Sequence, residues 1–145
     1  MSLRLELTLV EGRYALAQLP PGSASPPWAC GRFVAVIFSS HGVTVVCEEN
    51  AVPAAVTKRN GFCCLQIAGV FEISSVGVVA AAVRPLAEAG ISLFVQSTWE
   101  TDFILVQEAD LPCAIRALIE AGHKFCGHGT SIADYPQPIT KNDND

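Results

Sequence analysis

Two stretches of this 145-residue chain carry residues that could hold a small charged molecule. The first is Val76-Gly77-Val78, which stands where a strand gives way to an Ala- and Val-rich helix. A helix start leaves backbone N–H groups without intrahelical partners, and their partial positive charge favours a carboxylate. Gly77, having no Cβ, would let a ligand approach the backbone. On position alone, a tight strand-to-helix transition is the better explanation of Gly77. The second is Asp102, at the mouth of the apolar run Phe103-Ile104-Leu105-Val106. Asp is depleted in strands, so its placement needs a reason. It could accept a charge-assisted bond from a ligand ammonium, or it could cap the corner Ser97 to Thr101 through the backbone. An anion site and a carboxylate facing one cleft would suit a zwitterion. Trp99 and Phe94 could line a side-chain pocket, although large aromatics there are more often core or interface.

The other reactive residues form weaker constellations. Six cysteines (Cys30, Cys47, Cys63, Cys64, Cys113, Cys126) show no CxxC and no zinc-ligand spacing with histidine. They read as reduced and mostly buried, with Cys63 and Cys64 on opposite faces of a strand. Cys126/His128 and Cys113/His123 have spacings compatible with a nucleophile and base, but no third group or oxyanion donor pair completes either. Satisfied or solvent-facing histidines are the simpler reading, His41 in its turn included. Glu48-Glu49 would diverge on a strand and read as solvated. The expectation is therefore binding without catalysis, with no metal and no cofactor.

Composition narrows the partners. Half the residues are apolar, enough for a core. No apolar run approaches the ~18 residues of a membrane helix. The opening Met1 to Glu6 alternates and carries both charge signs, unlike a signal peptide, so the cytoplasm is the default expectation. Nine Lys and Arg against fourteen Asp and Glu give a net charge of −5. With no basic stripe or patch, nucleic acid and membrane surfaces are not expected partners.

These residues need elements to position them. Leu3 to Val10 alternates with period two, and Tyr14 to Leu19 follows Glu11-Gly12-Arg13, which predicts a hairpin. The proline-rich stretch from Pro20 to Pro27 is a loop. Phe33–Ser39 and Val43–Cys47 are strands around the turn Ser40-His41-Gly42. Glu48 to Gly61 reads as an irregular junction. The second half predicts a strand over Phe62–Ala68, a helix over Gly77–Glu88 weakened by Pro85, and strands over Ser92–Gln96 and Asp102–Val106 around a polar corner. A helix over Leu111–Ala121 and a short strand over Lys124–Cys126 follow. That order, β-α-β-β-α-β, favours an open sheet with both helices on one face. The first half looks like a reduced relative of the same plan.

The stretch from Gly90 to Val106, with Ser97-Thr98 and Thr101-Asp102 at its core, closely resembles the signature of the small tandem ACT-domain proteins. Ser75 to Ala80 and Arg84 to Gly90 fit the same family, as do Trp28 and Val43 to Glu48. The resemblance implies an α+β, ferredoxin-like chain of two ACT-like βαββαβ units, with antiparallel sheets and helices on one face. It divides the chain into a degenerate N-terminal unit at 1–60 and an ACT domain at 61–135, although the match fades after about Val106; the polar residues at 136–145 read by themselves as a disordered tail. It also implies regulatory amino-acid binding by Ser75, Val76, Gly77 and Val78 before the first helix and by Thr98, Trp99 and Asp102 at the corner. Ser92 and Leu93 are implied as further ligand contacts facing a neighbouring unit, so that the ligand would lie at the subunit or domain interface. The same ACT type forms cytosolic arginine sensors, which carry an acidic residue where this chain has Ser75. Arginine specificity is therefore not transferred.

With that resemblance, the weight shifts toward a ligand at Gly77 and Asp102. The expectation is an amino-acid-responsive regulatory module that forms a homodimer, pairing near Ser92–Gln96 because free sheet edges are a liability, with the ligand site near the shared edge, and that acts through a regulated protein partner or through its own oligomer. The alternative is a structural interaction module that kept the fold and lost the ligand.

Overall fold

The computed structural model describes residues 3–68 and 75–126. The expected disordered tail at 136–145 lies outside them, as does His128. Strands β1 (Glu6–Leu19), β2 (Ala35–Ser39), β3 (Gly42–Glu48) and β4 (Thr57–Ile67) come first. Helix α1 (Val78–Glu88), strands β5 (Leu93–Ser97) and β6 (Asp102–Gln107), helix α2 (Leu111–Glu120) and the two-residue strand β7 (Lys124–Phe125) follow. All strands join one sheet of order β2-β3-β1-β4-β6-β5, with β7 beside β1.

The predicted β-α-β-β-α-β order of the second half is present as β4-α1-β5-β6-α2-β7. Both helices cover one face. Val78, Ala82 and Leu86 on α1 and Leu111, Ala114, Ile115 and Leu118 on α2 pack over Leu5, Leu7, Cys63, Leu65, Ile67, Ile104 and Val106. Those helical spacings place one apolar stripe toward the sheet. On the other face, Tyr14, Phe62, Cys64 and Leu105 gather under Phe33, whose ring stacks on Phe103 at 4.3 Å. Cys63 and Cys64 do point to opposite faces. Cys30, Cys113 and Cys126, by contrast, are exposed rather than buried.

The predicted hairpin at Glu11-Gly12-Arg13 is not formed. Both flanking segments belong to β1, and both pair antiparallel with the same strand: Leu7 to Val10 with Ile67 to Cys64, and Leu16 to Gln18 with Arg59 to Thr57. Glu11 to Arg13 is a bulge, where the register shifts between Val10 and Tyr14. The extra residues bend the strand instead of reversing it. Arg13 leaves this bulge to meet Glu108 at 2.8 Å. The hydrogen bond raises the guanidinium's pKa and lowers that of the carboxyl.

The bend lets β1 serve both halves. Its first part lies between β4 and β7, with Glu6 and Leu7 parallel to Lys124 and Phe125. Its second part lies between β4 and β3. The junction expected to be irregular holds a 3-10 turn at Glu49–Ala51 and then the start of β4. The boundary drawn at residues 60 and 61 therefore falls inside a strand. Among the described residues the first half contributes strands and no α-helix.

Candidate functional site

α1 begins abruptly. Gly77 is its N-cap and sits in the left-handed region, at φ +84°. A Cβ there would meet nothing nearer than Leu3 Cδ1 at 3.9 Å. The glycine is required by its backbone angle and not by crowding, which is the transition role considered for it from the sequence. The same geometry aims the first-turn amides of Val78, Val79 and Ala80 outward, where the helix itself supplies them no acceptor. Glycine also has no side chain with which to cap them.

Opposite stands the β5–β6 corner. Ser97 pairs with Asp102 across the hairpin. Thr98 closes the loop: its N–H donates to the Thr101 carbonyl at 2.8 Å and its hydroxyl to the same oxygen at 2.9 Å. Thr101 is buried, and its hydroxyl donates to the Ile67 carbonyl at 2.6 Å, mooring the corner to the end of β4. The Asp102 carboxylate accepts a hydrogen bond from the Ser97 hydroxyl. The corner's backbone bonds are made by the two threonines, so Asp102 is not the cap that the sequence allowed.

Helix start and corner enclose a cleft of about 370 Å³ lined by Ser75, Gly77, Val78, Thr98, Trp99 and Asp102, together with Val79, Ala80, Ser97, Glu100 and Thr101. Six of the nine sequence-predicted residues thus meet at one place. Val76 does not. It is 90% exposed and borders a neighbouring groove of about 1190 Å³. Ser92 and Leu93 also stand apart, at the far end of edge strand β5, with Ser92 exposed and Leu93 half-buried against the helix-side core. Trp99 is 77% exposed, and Phe94 packs against the core on the helix-free face. Thr101 lies within the quoted motif, but its role depends on Ile67, thirty-four residues earlier, and spacing carried no sign of it. The Cys113/His123 pair is not assembled: both ring nitrogens of His123 are engaged by backbone groups, at Leu5 and Ala81.

Fold and cleft define a ferredoxin-like α+β domain with a small polar recess where its first helix begins. The ACT domain family matches residues 58–120, and the chain belongs to that family. A crystal structure of a protein from Agobacterium tumefaciens superposes with a TM-score of 0.83 at 31% identity, covering 88% of this chain and 96% of that one. The human cytosolic arginine sensor for mTORC1 subunit 1 is 31% identical over 99 residues, 68% of this chain. The chain spans 27% of that protein's length. The regulatory subunit of aspartate kinase from Thermus thermophilus shares the fold, with a TM-score of 0.57 at 13% identity over 79% of this chain and 96% of its own.

Proposed function

We propose that this chain is a non-catalytic regulatory module whose cleft at Gly77 and Asp102 takes a free amino acid. One observation carries the reading: an outward-facing helix start and a carboxylate border the same small recess. The ligand's carboxylate would accept from the amides of Val78 to Ala80, and its ammonium would donate to Asp102. A charge-assisted bond of the second kind contributes roughly 1.5–3 kcal/mol. Thr98 keeps the corner in shape, while Ser75 and Trp99 border the ligand's side chain. Support also comes from the related proteins, one an arginine sensor and another a regulatory subunit. Ser75 brings no charge to the recess, so the reading carries no preference for arginine.

The reading places the protein in the cytoplasm, as the sensor's name does for that protein. It also has the chain pair with a second copy along β5, the open sheet edge that Leu93 begins and Ser92 precedes, and act on a regulated protein partner. The two halves are read as ACT-like units sharing β1 and β4. Among the described residues no helix is long and apolar enough to cross a membrane. Two observations favour the alternative of a ligand-free interaction module: Ser97 already donates to Asp102, and Trp99 presents a large apolar surface. Calorimetry with each of the twenty amino acids separates the two. Heat from at least one, abolished by Asp102→Ala, is the expected result. A folded protein giving no heat with any of them rejects the amino-acid reading in favour of the interaction module.

A further inference from the structure

Pro85 lies inside α1 and has no N–H to give the carbonyl of Ala81, four residues earlier. That carbonyl is nonetheless bonded. His123 Nε2 lies 2.8 Å from it, although the two residues are forty-two positions apart. The other ring nitrogen, Nδ1, accepts the N–H of Leu5 at 3.0 Å. A ring that accepts at Nδ1 and donates at Nε2 is the neutral imidazole with its proton on Nε2. His123 is 5% exposed. Its approach is fixed by the end of α2, where Gly122 takes φ +96° and the His123 N–H donates to the Leu118 carbonyl at 3.0 Å. The bonds continue toward the cleft: the Ala81 N–H donates to the carbonyl of Gly77 at 2.9 Å. One side chain thus joins the start of β1 to the residue whose amide forms the first bond of α1.

We propose that His123 is a positioning residue for the cleft, acting through the Ala81 carbonyl to hold the first turn of α1 in place. The sequence singled out His123 only as half of a doubtful nucleophile pair, and Pro85 only as a weak point in a helix. Together they are donor and vacancy. Pro85 opens a place in the helix ladder, and His123 fills it from outside, so that α1 is tied to β1 at the level of its N-terminus. The connection to ligand binding rests on the reading of the cleft given above. The positioning itself does not.

The test uses the full chain and a pair of substitutions whose effects should interact. Amide hydrogen exchange at Ala81 is compared with exchange at Leu105 in β6, which reports global opening. His123→Ala is expected to speed exchange at Ala81 roughly tenfold relative to Leu105, the scale of leaving one buried carbonyl unpaired. His123→Gln, whose amide reaches the Nε2 position and can donate there, should restore most of the protection, and His123→Asn, whose shorter amide reaches only to about the Nδ1 position, should not. Pro85→Ala supplies the missing N–H. In that background His123→Ala should change Ala81 exchange less than about twofold, and the background also guards against a variant that fails to fold. Equal acceleration at Ala81 and Leu105, or an undiminished effect of His123→Ala beside Pro85→Ala, overturns the proposal. Thermal-shift measurements with the twenty amino acids, one at a time, address the cleft separately. If none stabilises the wild-type chain, the ligand reading fails while the exchange data still decide the role of His123.

Discussion

Gly77→Ala should destabilise the protein by about 1 kcal/mol, and the structure dictates the ingredients of that figure. Gly77 sits at φ +84°, where an L-residue with a Cβ costs roughly 1–2 kcal/mol. Alanine also restricts the unfolded chain, which returns about 0.4–1 kcal/mol. A steric term is absent, because the nearest atom to an added methyl group is Leu3 Cδ1 at 3.9 Å. The net is a loss near 1 kcal/mol, or roughly 2–4 °C in Tm for a chain of this size. Asparagine tolerates the left-handed region better than alanine, so Gly77→Asn should cost less than Gly77→Ala. Urea titrations followed by far-ultraviolet circular dichroism give the three midpoints. The expected order is glycine, asparagine, alanine, from most to least stable, with unchanged slopes. An alanine variant as stable as the wild type would refute the argument, since it would mean that α1 does not begin from a left-handed residue.

Two further effects follow from buried groups. Thr101→Val removes the only hydroxyl that Thr101 offers the Ile67 carbonyl, at nearly constant volume, and should cost about 1–3 kcal/mol in a urea titration while Thr101→Ser costs less; equal stability of Thr101→Val and wild type would remove the mooring role. Stability should also decline at alkaline pH. Burial, the larger cause in each case, pushes the Tyr14 hydroxyl and the Cys64 thiol up to about 12 from ordinary values of 10.0 and 9.0. The unfolded chain releases these protons first, so the stabilisation is complete below the ordinary values and is lost as pH rises toward the folded ones. The urea midpoint should stay level to about pH 8 and fall by about pH 11, and a midpoint that holds or rises over that interval contradicts the burial of both groups.

The elements with internal periodicity were legible in the sequence alone. α1 and α2 announce themselves by apolar stripes at Val78, Ala82, Leu86 and at Leu111, Ile115, Leu118, and β6 by its run from Phe103 to Val106. What failed to show was structure decided between distant segments. Glu11-Gly12-Arg13 has the residues of a turn, and only the shared partner β4 makes it a bulge. Thr57 to Asn60 has no apolar alternation, because its place in the sheet comes from backbone pairing with β1. The site divides in the same way. That Gly77, Thr98 and Asp102 line one cleft was legible because local backbone chemistry or the family motif marks them. Thr101 and His123 were not, because their partners at Ile67, Leu5 and Ala81 lie 34 to 118 residues away.

The two walls of the cleft are held by different anchors, and this bears on how a ligand could act there. The corner is fixed to β4 through Thr101 and Ile67, and the helix start is fixed to β1 through Ala81, His123 and Leu5. β1 and β4 are themselves neighbours in the ladder, from Leu7 opposite Ile67 to Val10 opposite Cys64. Each wall is therefore hydrogen-bonded to one of two neighbouring interior strands of the sheet. A recess built this way is largely formed before anything enters it, so little ordering free energy is spent on binding. A zwitterion bonded to both walls adds a direct connection between the start of α1 and the β5–β6 hairpin. That hairpin includes the sheet edge along which a second copy is proposed to pair. Occupancy would then be coupled to pairing through that hairpin, and any factor by which an amino acid changes self-association should equal the factor by which self-association changes amino-acid binding.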